Sequence, residues 1–166
     1  TSLDLWVRSF ELNAIYSGIV FILSFGAINF LLGMPQEIFH TFVIEERFGF
    51  NKTTPKTFII DRLKGLALGL ILGVPLISLI LWGMDQLLDY WWVFCWVVLT
   101  IFQLAIMFIY PTFIAPLFNK FTPLEEGPLK EQILRLMERT GFQAKGLFVM
   151  DASKRSGHGN AYFTGL

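Results

Sequence analysis

The chain has 166 residues, of which 54% are hydrophobic and only 16% are charged, and its mean hydropathy is +0.58. Soluble domains average about 25% charged residues, so this composition argues against an ordinary water-soluble domain and favours a membrane protein. The formal net charge is zero, so no nucleic-acid partner is indicated and we expect none.

Three apolar runs are long enough to cross a bilayer as helices, at residues 14–32, 65–83 and 91–110. At a rise of 1.5 Å per residue, about 20 residues cross a hydrocarbon core of about 30 Å. Pro75 interrupts the second run, which a membrane helix tolerates when neighbouring groups satisfy the freed carbonyl. We therefore predict three spans in a transmembrane region over residues 1–110, with a loop at residues 34–64.

The distribution of basic residues indicates the orientation of these spans. Residues 34–64 contain five lysines and arginines, and seven more follow Tyr110, whereas residues 84–90 contain two aspartates and no basic residue. Lysine and arginine concentrate in cytoplasmic loops. We therefore expect an integral membrane protein in contact with the lipid bilayer, with the 34–64 loop and everything after residue 110 in the cytosol.

The composition changes after the third span. Residues 129–142 carry apolar side chains at helical spacing, and Pro128 and Gly141 are suited to the first turn and to the end of such a helix. Short strands are predicted at 147–150 and 161–166. The expected fold class is mainly α: polytopic membrane helices, then a cytosolic amphipathic helix and a short β-hairpin-like start of a further, incomplete domain over 111–166.

Several polar residues are candidates for a functional site. Two acids, an arginine, an asparagine and a lysine fall within residues 45–52, which is typical either of a solvated interfacial loop or of a folded, internally paired segment. His40 is expected to be interfacial. His158, between two glycines, is suited to a flexible turn. Zinc requires three or four converging ligands, and the sequence contains no H-E-x-x-H or C-x-x-C motif.

Three stretches stand in an order that resembles a known family: "VIEERFGFNKTT" at 43–54, "YPTFIAPLFNKFTPL" at 110–124 and "SKRSGHGNAYFTG" at 153–165. They are similar to those of the integral-membrane CAAX prenyl protease type 1 family, which are zinc metalloendopeptidases of the H-E-x-x-H kind. The resemblance implies about seven helices around an intramembrane chamber, with a zinc site on its cytosolic side.

The resemblance also implies roles for individual residues. Asn160, Ala161 and Tyr162 match an edge strand beside the zinc cleft, to which an extended peptide can add by backbone hydrogen bonding. We group His158 with them as substrate-binding, either reaching the cleft or bracing the turn. The family's zinc ligands and catalytic glutamate match nothing in these 166 residues, so we expect a piece of a longer protein, inactive alone, with zinc bound elsewhere in the parent.

Three functions remain open at this point. The parent protein could process the C-termini of prenylated CAAX proteins, or it could be a bacterial protease that degrades membrane proteins in quality control. Alternatively, the chain could be a non-enzymatic scaffold or transporter subunit. In the first two cases this part supplies chamber helices and the strand that binds a peptide or protein substrate.

Overall fold

The computed structural model describes residues 2–159 and 161–163. The α-helices in these residues are α1 Ser2–Arg8, α2 Ala14–Phe39, α3 Pro55–Gln86, α4 Trp91–Ile109, α5 Ala115–Phe118 and α6 Pro128–Thr140. The strands are β1 Phe121–Pro123 and β2 Phe148–Met150. Single turns of π-helix occupy His40–Glu45 and Tyr110–Ile114, and 3₁₀ turns occupy Leu88–Tyr90 and Ala152–Lys154.

Three helical segments are long and apolar enough to cross a membrane: Ala14–Glu45, Pro55–Gln86 and Leu88–Phe118. Each contains one of the predicted runs, so the three spans and the mainly α fold class are confirmed, and the chain is a membrane protein. The second segment has 32 residues, or about 48 Å of helix, which exceeds a hydrocarbon core of about 30 Å. The helices therefore extend beyond the part that the bilayer requires.

Most of the segment predicted as a loop, residues 34–64, is helical. The first span continues through Glu45, and α3 begins at Pro55, so the irregular connection covers only 48–54. Thr54 caps α3 by accepting a hydrogen bond from the Thr57 amide at 3.2 Å. The two helix extensions are joined by an Arg62–Glu37 ion pair of 2.6 Å, which hydropathy alone does not indicate.

The membrane helices pack in sequence order, α2 against α3 and α3 against α4. Among the described residues, the buried apolar side chains are few: Val7, Phe58, Cys95 and Ala115. Most large apolar side chains on the spans are exposed in the isolated chain. In a membrane, lipid and further helices cover such faces, because tail and side chain are equally apolar.

Beyond the third span, β1 and β2 form an antiparallel pair in which Thr122 lies opposite Val149. The predicted amphipathic helix is confirmed as α6, which connects the two strands and ends at Gly141 with a left-handed φ of +67°. The predicted strand at 147–150 is present as β2. Its partner is β1, within the proline-rich stretch, whereas residues 161–163 of the other predicted strand have no strand structure.

Candidate functional site

The connection 48–54 is folded back on the end of the first span. The amides of Phe50 and Asn51 both donate to the Glu45 carbonyl, at 2.9 and 3.2 Å. The Asn51 side chain donates to the Glu46 carboxylate at 2.9 Å and accepts from the Thr53 amide at 2.7 Å. This confirms the alternative of a folded, internally paired segment over a solvated loop.

This connection pairs with a distant part of the chain, residues 155–157. The Lys52 amide and the Thr53 hydroxyl both donate to the Arg155 carbonyl, at 3.1 and 2.9 Å. The Gly157 amide donates to the Phe50 carbonyl at 2.7 Å. Asn51 and Ser156 form an antiparallel β-bridge between these bonds, so two of the three motif stretches are joined backbone to backbone.

The Arg155 side chain contacts the remaining motif stretch, residues 110–124, and helix α3. Its Nε and one terminal nitrogen donate to both carboxylate oxygens of Asp61, at 2.5 and 2.9 Å. The other terminal nitrogen donates to the Asn119 side-chain oxygen at 2.8 Å. A fourth bond, of 2.6 Å, reaches the Phe118 carbonyl at the end of α5. We call this set of contacts around Arg155 the Arg155 junction.

The ion pair of the junction is mostly shielded from solvent. The Arg155 side chain is 27% exposed and that of Asp61 is 21% exposed. The hydrogen bond to Asp61 raises the pKa of the Arg155 guanidinium above its ordinary value, although partial burial acts to lower that pKa. A planar guanidinium that makes paired bonds to a carboxylate is held in one orientation, so the junction fixes the direction in which the chain leaves residue 155.

His158 lies beside the junction and braces the turn. Its ring stacks on that of Phe50, with centroids 4.0 Å apart and planes inclined by 29°. Its amide donates to the Ser156 hydroxyl at 3.2 Å. These contacts are those expected of a residue that braces the turn. A role of His158 in binding substrate stays a prediction.

The other predicted substrate-binding residues, Asn160, Ala161 and Tyr162, come shortly after His158 in the chain. Asn160 lies outside the described residues. Ala161 is exposed, and Tyr162 is 56% exposed, with its hydroxyl donating to the Met150 sulfur at 3.5 Å. Phe163 meets Phe142 edge to face, at 5.7 Å between centroids. Tyr162 therefore contacts the end of β2, and Phe163 contacts the chain just after α6.

The described residues do not fit a zinc site. Among them, no three His, Cys, Asp or Glu side chains lie close enough together to hold a metal ion. His40 faces Glu45 at 3.7 Å, and His158 is stacked on Phe50, so the two histidines belong to different contacts. A zinc site requires at least three protein ligands around one centre.

An apolar groove of about 510 Å³ lies between the first and second spans. Met34, Ile38 and Phe42 line one side, and Phe58 and Leu66 are among the residues of the other.

Arg62 lies at this groove. It pairs with Glu37 and places its guanidinium over the Phe58 ring, 5.0 Å from the centroid.

Sequence reasoning did not single out Arg155, Asp61 or Phe50. The signal that could have found them is the set of three motif stretches itself. Each stretch contributes to the junction: Lys52 from the first, Asn119 from the second and Arg155 from the third. Stretches that keep a fixed order across a long chain are candidates for meeting in space.

The comparisons with known proteins point to one family. Residues 1–120 match the family described as "CAAX prenyl protease N-terminal, five membrane helices". The chain is 42% identical to CAAX prenyl protease 1 of Saccharomyces cerevisiae over 161 residues, covering 96% of this chain and 35% of that protein. It is 46% identical to a CAAX prenyl protease 1 homolog of Arabidopsis thaliana over 133 residues, covering 80% of this chain and 31% of that one.

The fold is also that of a solved structure. The crystal structure of S. mikatae Ste24p superposes with a TM-score of 0.89 at 38% identity, covering 99% of this chain and 39% of the Ste24p chain. The resemblance predicted from the three motif stretches is confirmed. The chain spans about a third of the length of the curated relatives it matches.

Proposed function

The chain belongs to the CAAX prenyl protease N-terminal family, and on that premise we propose that it is part of a membrane-embedded zinc metalloendopeptidase. The observation that carries the proposal is the similarity to CAAX prenyl protease 1 over 96% of the chain. A match over that share of the chain includes the membrane helices and Lys52, Asn119 and Arg155 of the junction. The proposed reaction is hydrolysis of peptide bonds near the C-termini of prenylated proteins at the membrane.

In this proposal the spans form part of the wall of the reaction chamber. Helices α2, α3 and α4 pack side by side and leave long apolar faces exposed, as expected of one section of a larger helical enclosure. The connection 48–54 and the residues after the third span lie on the cytosolic side, since basic residues concentrate there.

The second proposed role is substrate binding by residues 158–162. Asn160, Ala161 and Tyr162 would offer a strand edge to which an extended peptide adds, with His158 beside them. Support comes from the residues on either side of Asn160: His158 lies beside the Arg155 junction, and Tyr162 is exposed and contacts Met150 at the end of β2.

Zinc enters the proposal through the family alone. Because the described residues do not fit a zinc site, we assign no ligand and no catalytic residue to this chain. The metal and the chemical step are proposed for the full-length protein, and this part contributes the chamber wall and the substrate strand.

The test is peptide cleavage by the full-length protein in liposomes. Two peptides of identical sequence ending in CAAX, one farnesylated and one not, are incubated before and after treatment with a zinc chelator. The proposal expects cleavage of the farnesylated peptide that the chelator abolishes and added zinc restores. Equal cleavage of both peptides would favour general membrane proteolysis, and chelator-insensitive cleavage, or none by folded protein, would refute the metalloprotease.

The substrate strand has a separate test. Asn160→Ala should lower cleavage much more than it lowers bound zinc, because the proposed role of Asn160 is to hold substrate. The matched control is Asn29→Ala, since within the described part of the chain the Asn29 side chain donates only to the Phe25 carbonyl of its own helix, at 2.8 Å. Zinc loss in proportion to activity would contradict the substrate-strand role.

A further inference from the structure

We propose that Arg155 is the positioning residue of the substrate strand, an inference that rests on the proposed function. Among the described residues, the Arg155 side chain donates hydrogen bonds to three groups, Asp61 of α3, the Phe118 carbonyl at the end of α5 and the Asn119 side chain that follows it. It precedes Asn160 by five residues, so it fixes the origin of the strand to within about 17 Å of chain.

The helices that bind the Arg155 side chain, α3 and α5, also contact each other through a residue other than Arg155. Lys64 of α3 donates to the Leu117 carbonyl of α5 at 2.6 Å and places its ammonium 5.9 Å from the centroid of the Phe118 ring. Asp61 lies one turn before Lys64 on the same helix. Helix α3, which carries the carboxylate, and α5, which carries the carbonyl, are therefore also joined by a contact that does not involve the guanidinium.

Two further contacts carry the position from Arg155 toward the strand. The Gly157 amide donates to the Phe50 carbonyl at 2.7 Å. The His158 ring then stacks on Phe50, 4.0 Å away. Successive anchors at residues 155, 157 and 158 leave one residue between the last anchor and Asn160, so loosening the first anchor moves the start of the proposed substrate strand.

Arginine is suited to this role in a way that lysine is not. Four hydrogen bonds leave three nitrogens in one plane and reach three acceptor groups: Asp61, Asn119 and Phe118. Lysine keeps the charge but presents a single nitrogen without the fork geometry. Arg155→Lys should therefore leave the protein folded and keep the positive charge, while residues 155–158 lose part of their hydrogen bonding to α3 and α5.

The experiment is a KM and kcat comparison in the full-length protein, with a covalent rescue. Arg155→Lys is expected to raise KM for the farnesylated peptide by about tenfold, with kcat within about twofold of the parent, because uniform substrate binding is lost rather than chemistry. Zinc content should not change. The matched control is Arg135→Lys, since Arg135 lies on exposed α6 and, among residues 2–159 and 161–163, pairs only with Glu131 of the same helix, at 3.2 Å.

The rescue replaces the lost anchor with a disulfide. Asn51 and Ser156 are partners in an antiparallel bridge, whose Cα atoms lie about 4.5–5.5 Å apart, within the range of about 4.4–6.8 Å that a disulfide spans. In an Asn51→Cys/Ser156→Cys background, oxidation should restore the KM of Arg155→Lys, and reduction should raise it again. The reference for both is the double-cysteine protein with Arg155 intact.

Each result either supports or overturns the positioning role of Arg155. An unchanged KM in Arg155→Lys, a raised KM that oxidation does not restore, or a loss of kcat and zinc together with KM would overturn the positioning role. If the full-length protein cleaves no peptide, the proposed function fails, and the rate of disulfide formation between positions 51 and 156 still tests the anchor. Slower formation in Arg155→Lys than with Arg155 supports it, and equal rates overturn it.

Discussion

Replacing Asp61 with asparagine measures how much the ion pair contributes to the Arg155 junction. Asn keeps the shape of the side chain but removes its charge and one of the two acceptors that bind Arg155, at 2.5 and 2.9 Å. Arg155 keeps its bonds to Asn119 and Phe118. The expected effect is therefore local weakening of the segment around residues 155–158 rather than unfolding of the spans.

The magnitude follows from the exposure of the pair. Solvent-exposed ion pairs contribute about 0–1 kcal/mol, whereas removing one partner of a fully buried pair costs about 3–5 kcal/mol. Asp61 and Arg155 are 21% and 27% exposed, between these limits, so we expect a loss of about 2 kcal/mol. This corresponds to a change of about thirtyfold in the equilibrium between docked and open segment.

Hydrogen–deuterium exchange of the full-length protein measures this change directly. The amides of Lys52 and Gly157 bond across the junction, so both should exchange about thirtyfold faster in Asp61→Asn. The control, Glu131→Gln, removes a carboxylate from an exposed pair with Arg135 and should change nothing at these two amides. Unchanged exchange in Asp61→Asn, or equal loss of protection throughout α3, would refute the reasoning.

Three further predictions concern α6, the ring stack and the orientation of the spans. Gly141→Ala should destabilise α6 by about 1 kcal/mol because residue 141 has a left-handed φ of +67°. Exchange of the α6 amides measures it, and an equal effect of Gly127→Ala, at an extended residue, would contradict the cause. Phe50→Leu should weaken docking of residues 155–158 by about 1 kcal/mol through loss of the stack; a segment that exchanges no faster speaks against it. In sealed vesicles and a background free of other cysteines, Lys120→Cys should react with an impermeant maleimide only from the cytosolic face and Asp89→Cys only from the opposite face, and the reverse labelling would overturn the orientation.

The spans could be predicted from the sequence because the bilayer selects for an uninterrupted apolar length. The same criterion made the predicted helices shorter than the observed ones. Residues 34–45 are mixed in polarity, yet they continue the first helix, where Glu37 pairs with Arg62 and Phe42 contacts Phe58 edge to face at 5.5 Å. Hydropathy reports the thickness of the membrane core, whereas the ends of these helices depend on contacts between helices.

The small sheet shows the same limit. The strand at Phe148–Met150 has a recognisable apolar run, but its partner is three residues long and ends in Pro123. Proline is tolerated at such an edge position, where its missing amide is not required. A strand of this kind carries no alternating pattern, so only the folded chain shows that it pairs there.

The Arg155 junction could not be predicted from local pattern, because Arg155 and Asp61 are 94 residues apart in the chain. The glycines and serines around Arg155 indicate a turn, and a turn arginine is ordinarily solvated. What the sequence did contain was the set of three motif stretches in fixed order. They meet at Arg155, where the first stretch bonds to the backbone carbonyl and the second to the guanidinium. This gives a physical reason for the segment that follows to start from one fixed place.

Metal content, measured by mass spectrometry on the full-length protein and on the 166-residue chain, tests the proposed metalloprotease most directly. The account predicts about one zinc per full-length chain, the stoichiometry of a mononuclear site, and none on residues 1–166, whose described part does not fit a metal site. Stoichiometric zinc on the 166-residue chain would contradict the placement of the site outside it. No zinc on either protein would leave a membrane protein of this family without the proposed chemistry.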